Sequence, residues 1–145
     1  MTEFKPVKSR EILMGKLSHN CDLLEEFTNL ATKLGVGLGR IEAIGAVQKA
    51  RIGFYDQKTR IYRFSSFDQP MEITKLVGNI SLKDGNPFVH AHITLSDASG
   101  KSFGGHLASG TIVFACEFIL HIFDGPVFNR CFDEGTGLSL WMFNE

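Results

Sequence analysis

Apolar and polar residues alternate strictly over Val89-His90-Ala91-His92-Ile93-Thr94-Leu95-Ser96. Successive strand side chains point to opposite faces, so Val89, Ala91, Ile93 and Leu95 share one face, and His90, His92, Thr94 and Ser96 share the other. The first set is wholly apolar and must meet a core, which leaves the histidines on the polar side. The chain then turns at Asp97-Ala98-Ser99-Gly100 and returns through Phe103-Gly104-Gly105-His106. A three-residue loop, Ala98-Ser99-Gly100, closed by Gly100 in the left-handed conformation of a G1 bulge, predicts a β-hairpin. Its register sets Asp97 opposite Lys101, Ser96 opposite Ser102, Leu95 opposite Phe103 and His92 opposite His106.

The pattern elsewhere predicts a strand over 11–17 and then a helix. Leu23, Phe27, Leu30 and Leu34 recur at helical spacing, with Leu24 and Ala31 beside them. Ser18 or Asn20 is the expected cap, Asp22, Glu25 and Glu26 lie near the positive end, and Gly35 supplies the stop. Residues 40–47 read as a strand. Residues 49–64 read as a second hairpin, with strands at 50–55 and 59–64 around a polar turn at 56–58. Residues 71–82 form another strand, in which Gly78 marks a bend, and 83–87 are a turn. The near-continuous apolar run 111–123 suits a strand buried on both faces. After the break at Gly125-Pro126, residues 127–143 supply one or two short strands. The glycines at 35, 37 and 39 follow a helix and precede a strand, the reverse of a dinucleotide-binding loop, which excludes that reading.

Composition narrows the class. The chain has 145 residues, 43% hydrophobic and 21% charged, as expected of one globular domain spanning 1–145 with its core over about 10–143. The 13 phenylalanines imply a dense core or an apolar subunit interface. A formal net charge of −1 gives no bulk attraction to nucleic acid or anionic membrane. Cys21, Cys116 and Cys131 are odd in number and lack metal-binding spacing. Residues 1–20 hold no apolar stretch of signal-peptide length, and no apolar run reaches transmembrane length. The expectation is a reduced, cytoplasmic protein with no membrane partner.

The candidate chemistry lies in the hairpin, which carries three of the five histidines. Directly opposed strand residues have Cβ atoms roughly 4.5–5.5 Å apart, and His90 is the next same-face neighbour of His92. His90, His92 and His106 can therefore hold zinc or another divalent metal, and three protein ligands with an open position is a catalytic zinc pattern. The plain alternative is a set of solvated histidines, and a one-residue slip would carry His106 to the core face. Glu117, inside an apolar run and sharing a face with His121, needs a partner there. It is a candidate for a structural ion pair, for a hydrogen bond to a metal-bound histidine, for a metal ligand or, with Asp97, for a general base. Arg51, Lys58, Arg60 and Arg63, interleaved with Phe54, Tyr55, Tyr62 and Phe64, are candidate nucleic-acid contacts, though such hairpins more often have one solvated face.

These residues resemble a known family. His90-Ala91-His92, Asp97-Ala98-Ser99-Gly100 and Gly104-Gly105-His106-Leu107 together resemble the signature of the PPC domain, the plant and prokaryote conserved domain. Residues 39–47 are similar to its glycine-bounded strand, and Gly110, Thr111 and Glu117 to its final buried strand. The resemblance implies an α+β fold: a mostly antiparallel β-sheet with one main helix packed on it, assembling as a homotrimer. It implies a zinc site on His90, His92 and His106. It also implies a regulatory, DNA-associated role, since free-standing prokaryotic members carry a DNA-binding name by association. The chain lacks the Arg-Gly-Arg-Pro core of an AT-hook, and its charge is slightly negative, both of which weigh against direct minor-groove binding. The alternatives are a metal-dependent, hydrolase-like enzyme and a small-ligand-binding protein using an open metal position at a subunit interface.

Overall fold

The longest strand, β2 (Gly39–Asp56), runs for 18 residues in the computed structural model, which describes residues 2–143. The sequence pattern predicts two strands here, and the structure corrects it to one. The polar pair at 48 and 49 marks register irregularities against the neighbouring strand instead of a break. Gln48 is tolerated because its side-chain amide donates to Asn20 Oδ1 and to the Val113 carbonyl.

The sheet is wound on this strand. The first half of β2 pairs with β4 (Met71–Lys83) on one side and β7 (Ile112–Asp124) on the other. Its far half pairs with β3 (Ile61–Phe67) and meets β6 (Ser102–Leu107) at Ile52 opposite Leu107 and Gly53 opposite His106. Between β4 and β6 lies β5 (Asn86–Ser96), so β2, β4, β5 and β6 close a ring. Beyond β7 the sheet is extended by β1 (Lys8–Leu17), three residues longer than the pattern predicts. The hairpin of β8 (Asn129–Asp133) and β9 (Leu138–Met142) joins β4 through one parallel contact, Leu82 with Asn129. Every other pairing among the described residues is antiparallel, so the fold is a mostly antiparallel sheet with one helix.

That helix, α1 (Leu23–Leu34), presents Leu23, Phe27 and Ala31 to the interior, all fully buried. They meet Val89, Ala91, Ile93 and Leu95, the inner face of β5. Fully burying one such leucine or phenylalanine contributes roughly 1.5–3 kcal/mol. Gly35 ends the helix in a left-handed conformation, as expected. The cap differs from expectation: neither Ser18 nor Asn20 fills it, because the helix begins later and Asn20 lies in a left-handed turn. Asp22 is the cap, accepting from the Leu24 and Glu25 amides. The same carboxylate accepts from Ser109 Oγ and the Gly110 amide, which ties the helix start to the β6–β7 connection.

The expectation for residues 111–123 is also corrected. β7 buries Val113, Cys116, Leu120 and Ile122, but Phe114, Glu117 and Ile119 are exposed on its other face. This outer face continues across neighbouring strands as an open mixed surface, with Met14 79% and Ile44 58% exposed, Ile12 and Val77 nearby, and Lys16, Arg40, Glu42 and Glu117 on the same rows. No helix among the described residues is long and apolar enough to cross a membrane.

Replacing Asp22 by Ala removes the helix cap and the tie to the Ser109–Gly110 turn together. The expected loss is about 2 kcal/mol, the upper end for a cap, read as a lowered urea midpoint with an unchanged slope.

Candidate metal centre

The turn after β5 sets the geometry of the site. Asp97 accepts through its carboxylate from the Ser99 amide, the Ser99 hydroxyl and the Lys101 amide. Gly100, at φ 82°, takes the left-handed conformation that other residues rarely adopt. Those contacts fix the return strand with Ser96 opposite Ser102, Leu95 opposite Phe103 and His92 opposite His106, the register read from the sequence. Gly78 does not bend β4 as expected; it allows a close approach. A Cβ at that position would stand 2.7 Å from the Ala91 side chain and the His90 carbonyl on β5.

His90, His92 and His106 emerge together on the outer face. One nitrogen of each lies within 4.8 Å of the others. The ring centroids are 5.2 Å apart for His90 and His92, 5.1 Å for His90 and His106, and 5.6 Å for His92 and His106. Two nitrogens on one tetrahedral zinc, with bonds of about 2.0–2.1 Å, stand roughly 3.3 Å apart, so small side-chain rotations bring this set to bonding distance. His106 Nδ1 is buried and, among the described residues, has no hydrogen-bond partner. A buried nitrogen without a partner is costly, and a metal bond would offset that cost. The donor set therefore fits a divalent ion.

Burial, the Arg130 charge and the two neighbouring imidazoles push the His90 pKa down to about 4. Burial, then His92 and Arg130, lower that of His106. Both rings are therefore neutral at pH 7, the form that offers a lone pair to a metal.

Arg130 gives no sign of this role in the sequence. It lies on β8 and is 8% exposed. Its guanidinium donates to Ser81 Oγ at 2.8 Å, the Ser139 carbonyl at 3.0 Å and Asn79 Oδ1 at 2.8 Å, and lies against the Phe88 and Trp141 rings. No carboxylate pairs with it among the described residues. Asn79 is opposite His90 in register. Asn79, His90 and His92 line one cleft of about 480 Å³, whose walls include Lys5, Arg40, Phe123, Phe128 and Trp141. An arginine in a five-residue strand has no local signature, and only the β4–β8 contact brings it here.

Glu117 lies elsewhere. Its neighbours in register are Lys16 on β1 and Ile44 on β2, and its side chain is exposed on the open face, so it is not the buried acid that the sequence implies. Strands lie about 4.8 Å apart, so the three steps from β7 through β2 and β4 to β5 place it roughly 14 Å from the histidine strand. Asp97 is held in its turn by the hydrogen bonds described above.

The basic residues of the β2–β3 hairpin do not form one strip. Arg51 stacks 3.8 Å over Phe64, whereas Arg63 pairs with Asp56 at 2.6 Å. Their positions opposite Ser66 and Phe54 put them on opposite faces. Arg60 donates to the carbonyls of Glu134 and Gly135. Lys58 lies in the turn, its amide donating to Asp56.

The model of the Plants and Prokaryotes Conserved (PCC) domain matches residues 5–124. A bifunctional protein GlmU from a Synechococcus strain is 32% identical over 135 residues, 91% of this chain and 20% of the relative. The chain thus spans about a fifth of the length of the curated relatives it matches. A metal-containing protein of Archaeoglobus fulgidus superposes with a TM-score of 0.93 at 37% identity, covering 98% of this chain and 100% of that one. A plant- and prokaryote-conserved (PPC) protein of Pyrococcus horikoshii superposes with a TM-score of 0.89 at 30% identity, covering 100% and 99%. A Bacteroides thetaiotaomicron protein, provisionally named DNA-binding, gives a TM-score of 0.86 at 25% identity, covering 97% and 99%. With the family model spanning most of its length and the three-histidine hairpin in place, this chain belongs to the Plants and Prokaryotes Conserved domain family.

Proposed function

We propose that this chain is a metal-anchored regulatory module that holds one divalent ion, zinc or another that imidazole donors suit, on His90, His92 and His106. The observation that carries this reading is the convergence of three imidazole nitrogens within 4.8 Å beside an open cleft. When bound, such an ion supplies a Lewis acid with a coordination position left for a ligand. The Archaeoglobus relative, a metal-containing protein, supports the reading. The exposed apolar residues of the outer face, Ile12, Met14, Ile44, Val77 and Ile119, support assembly as a homotrimer, which would place the histidines beside a subunit seam.

Metal analysis tests this directly. Purified protein is expected to carry about one divalent ion per chain, and a His90→Ala/His92→Ala/His106→Ala variant none. Glu117→Gln is expected to retain the ion. Sedimentation of the triple variant separates two roles: a trimer without metal makes the ion a ligand anchor, whereas dissociated chains make it a structural staple. A chain without metal before any mutation would end the proposal.

Acid stability provides a second check. The folded state resists protonation of His90 and His106, while in the unfolded chain both titrate near 6.5. The unfolded state therefore binds more protons as pH falls, so the stability of metal-free protein is full above pH 6.5 and declines towards pH 4. His90→Ala should flatten that decline in thermal melts across this range.

A second reading, association with DNA, draws on the provisional DNA-binding names of structural relatives. The residues offered for it are Arg51, Lys58, Arg60 and Arg63. In anisotropy titrations at low salt, binding that weakens steeply with added salt supports contact with phosphates. No binding to duplex or single strand removes this reading and leaves the metal centre intact.

A further inference from the structure

We propose that the cleft beside the three histidines is a binding site for a small oxyanion, a carboxylate or phosphate carried on an apolar body, and that Asn79, held by Arg130, is its selecting donor. The inference rests on the metal reading above and adds the class of ligand.

Charge is the first ground. None of the residues lining the cleft is acidic, while Lys5 and Arg40 bring positive charge to its walls. Arg40 is paired with Glu42 at 2.9 Å, but Lys5 has no acidic partner among the described residues. Arg130 stands directly behind Asn79, more than nine-tenths buried, with only neutral groups and aromatic faces around it. A buried guanidinium without a counter-charge is costly. A dication on the histidines, whose His90 lies opposite Asn79 in register, would enlarge that positive charge. An anion entering the cleft neutralises both.

The second ground is the orientation of one amide. A guanidinium only donates, so Asn79 must turn its Oδ1 towards Arg130 at 2.8 Å. The other end of the same planar amide, its Nδ2 with two N–H donors, is then directed away. It meets no protein acceptor among the described residues and is not among the buried unpartnered atoms. Asn79 lies opposite His90 in register and lines the cleft. Those N–H groups are thus fixed, unused and next to the metal ligands. They suit an oxyanion with one oxygen on the ion and another on Asn79, and they offer nothing to a cation.

The third ground is the remaining wall. Phe123, Phe128 and Trp141 line the cleft, and Phe128 and Trp141 meet edge to face at 5.1 Å. Phe128 is itself buried behind the wall; a bare inorganic ion leaves Phe123 and Trp141 uncovered, whereas an apolar or aromatic body covers them.

The test uses the full chain loaded with Co²⁺, whose visible absorption reports a change of ligand. Arg130 is buried and its removal would disturb β8, so the charge is altered at Asn79 instead. In Asn79→Asp the shape is kept and the carboxylate gains an ion pair with Arg130, but a negative charge now faces the cleft. Acetate and benzoate are titrated against both proteins, with cobalt content measured in each. The expected result is a spectral shift in the unmodified protein at lower benzoate than acetate concentration. Asn79→Asp, with equal cobalt, should require about tenfold or more of either, the size expected for losing a hydrogen bond to a charged group. Equal titrations of the two proteins, or no response of the cobalt spectrum to either anion, would overturn the inference while leaving the metal centre standing. Equal affinity for acetate and benzoate would overturn the role of the aromatic wall. Absence of cobalt uptake by the unmodified chain would overturn both readings together.

Discussion

The structure depends most on one register, that of β5 against β6. A slip of one residue would turn Val89, Ala91, Ile93 and Leu95 outward and carry the histidines inward. Exposing Val89, Ile93 and Leu95 alone forfeits about 4.5–9 kcal/mol at the usual worth of a large apolar residue, comparable with the whole stability of many domains. The turn enforces the same choice locally, through Asp97 bonded to Ser99 and Lys101 and through the left-handed Gly100. The histidine cluster is therefore held in place by the core. The apolar parity that buries one face of β5 aligns imidazoles on the other, and no separate interaction is needed to gather them.

What surrounds the cluster gives it a charge. A metal-ligating histidine commonly hydrogen-bonds a carboxylate, which adds basicity and fixes the ring. Here burial does most to keep His90 and His106 from taking a proton, and the charged group the structure places nearby, a guanidinium, adds to it instead of opposing it. Arg130 is kept buried by three hydrogen bonds to neutral acceptors and by the faces of Phe88 and Trp141. These contacts give each guanidinium nitrogen one partner without cancelling its charge. The field at the site is thus positive before any cation arrives, so a bound dication needs compensation that the lining residues of the cleft do not supply.

The parts of this picture legible in the sequence are those fixed by local periodicity. The alternation of 89–96, the Asp97–Gly100 turn and the helical spacing of Leu23, Phe27, Leu30 and Leu34 each involve residues close along the chain. The helix cap was misplaced because several capping residues precede Leu23, and only the contact of Asp22 with Ser109 and Gly110 selects among them. The continuity of β2 was hidden by polar residues whose partners, Asn20 and Val113, are distant in sequence. Glu117 looks buried in the sequence because an apolar run reads the same whether both faces are covered or one is open. Arg130 was invisible for the strongest reason: its role arises from a single parallel contact between β4 and β8.

Register also explains why the open apolar face and the histidines are not independent. One row across the sheet reads Met14, Ile119, Glu42, Val77, His92 and His106, each directly opposite the next on successive strands. The adjacent row reads Ile12, His121, Arg40, Asn79 and His90. Both rows begin in exposed apolar residues on β1 and end in imidazoles on β5 or β6. A surface that covers Met14 and Ile119 and extends along the same rows crosses Arg40 and Glu42 before Val77, and the next positions are the clustered histidines and Asn79. Covering them would remove water from the cleft and strengthen every charge interaction within it. Assembly on this face and ligand binding at its histidine end would thus share one electrostatic environment, a consequence of sheet geometry before any dedicated coupling residue is invoked.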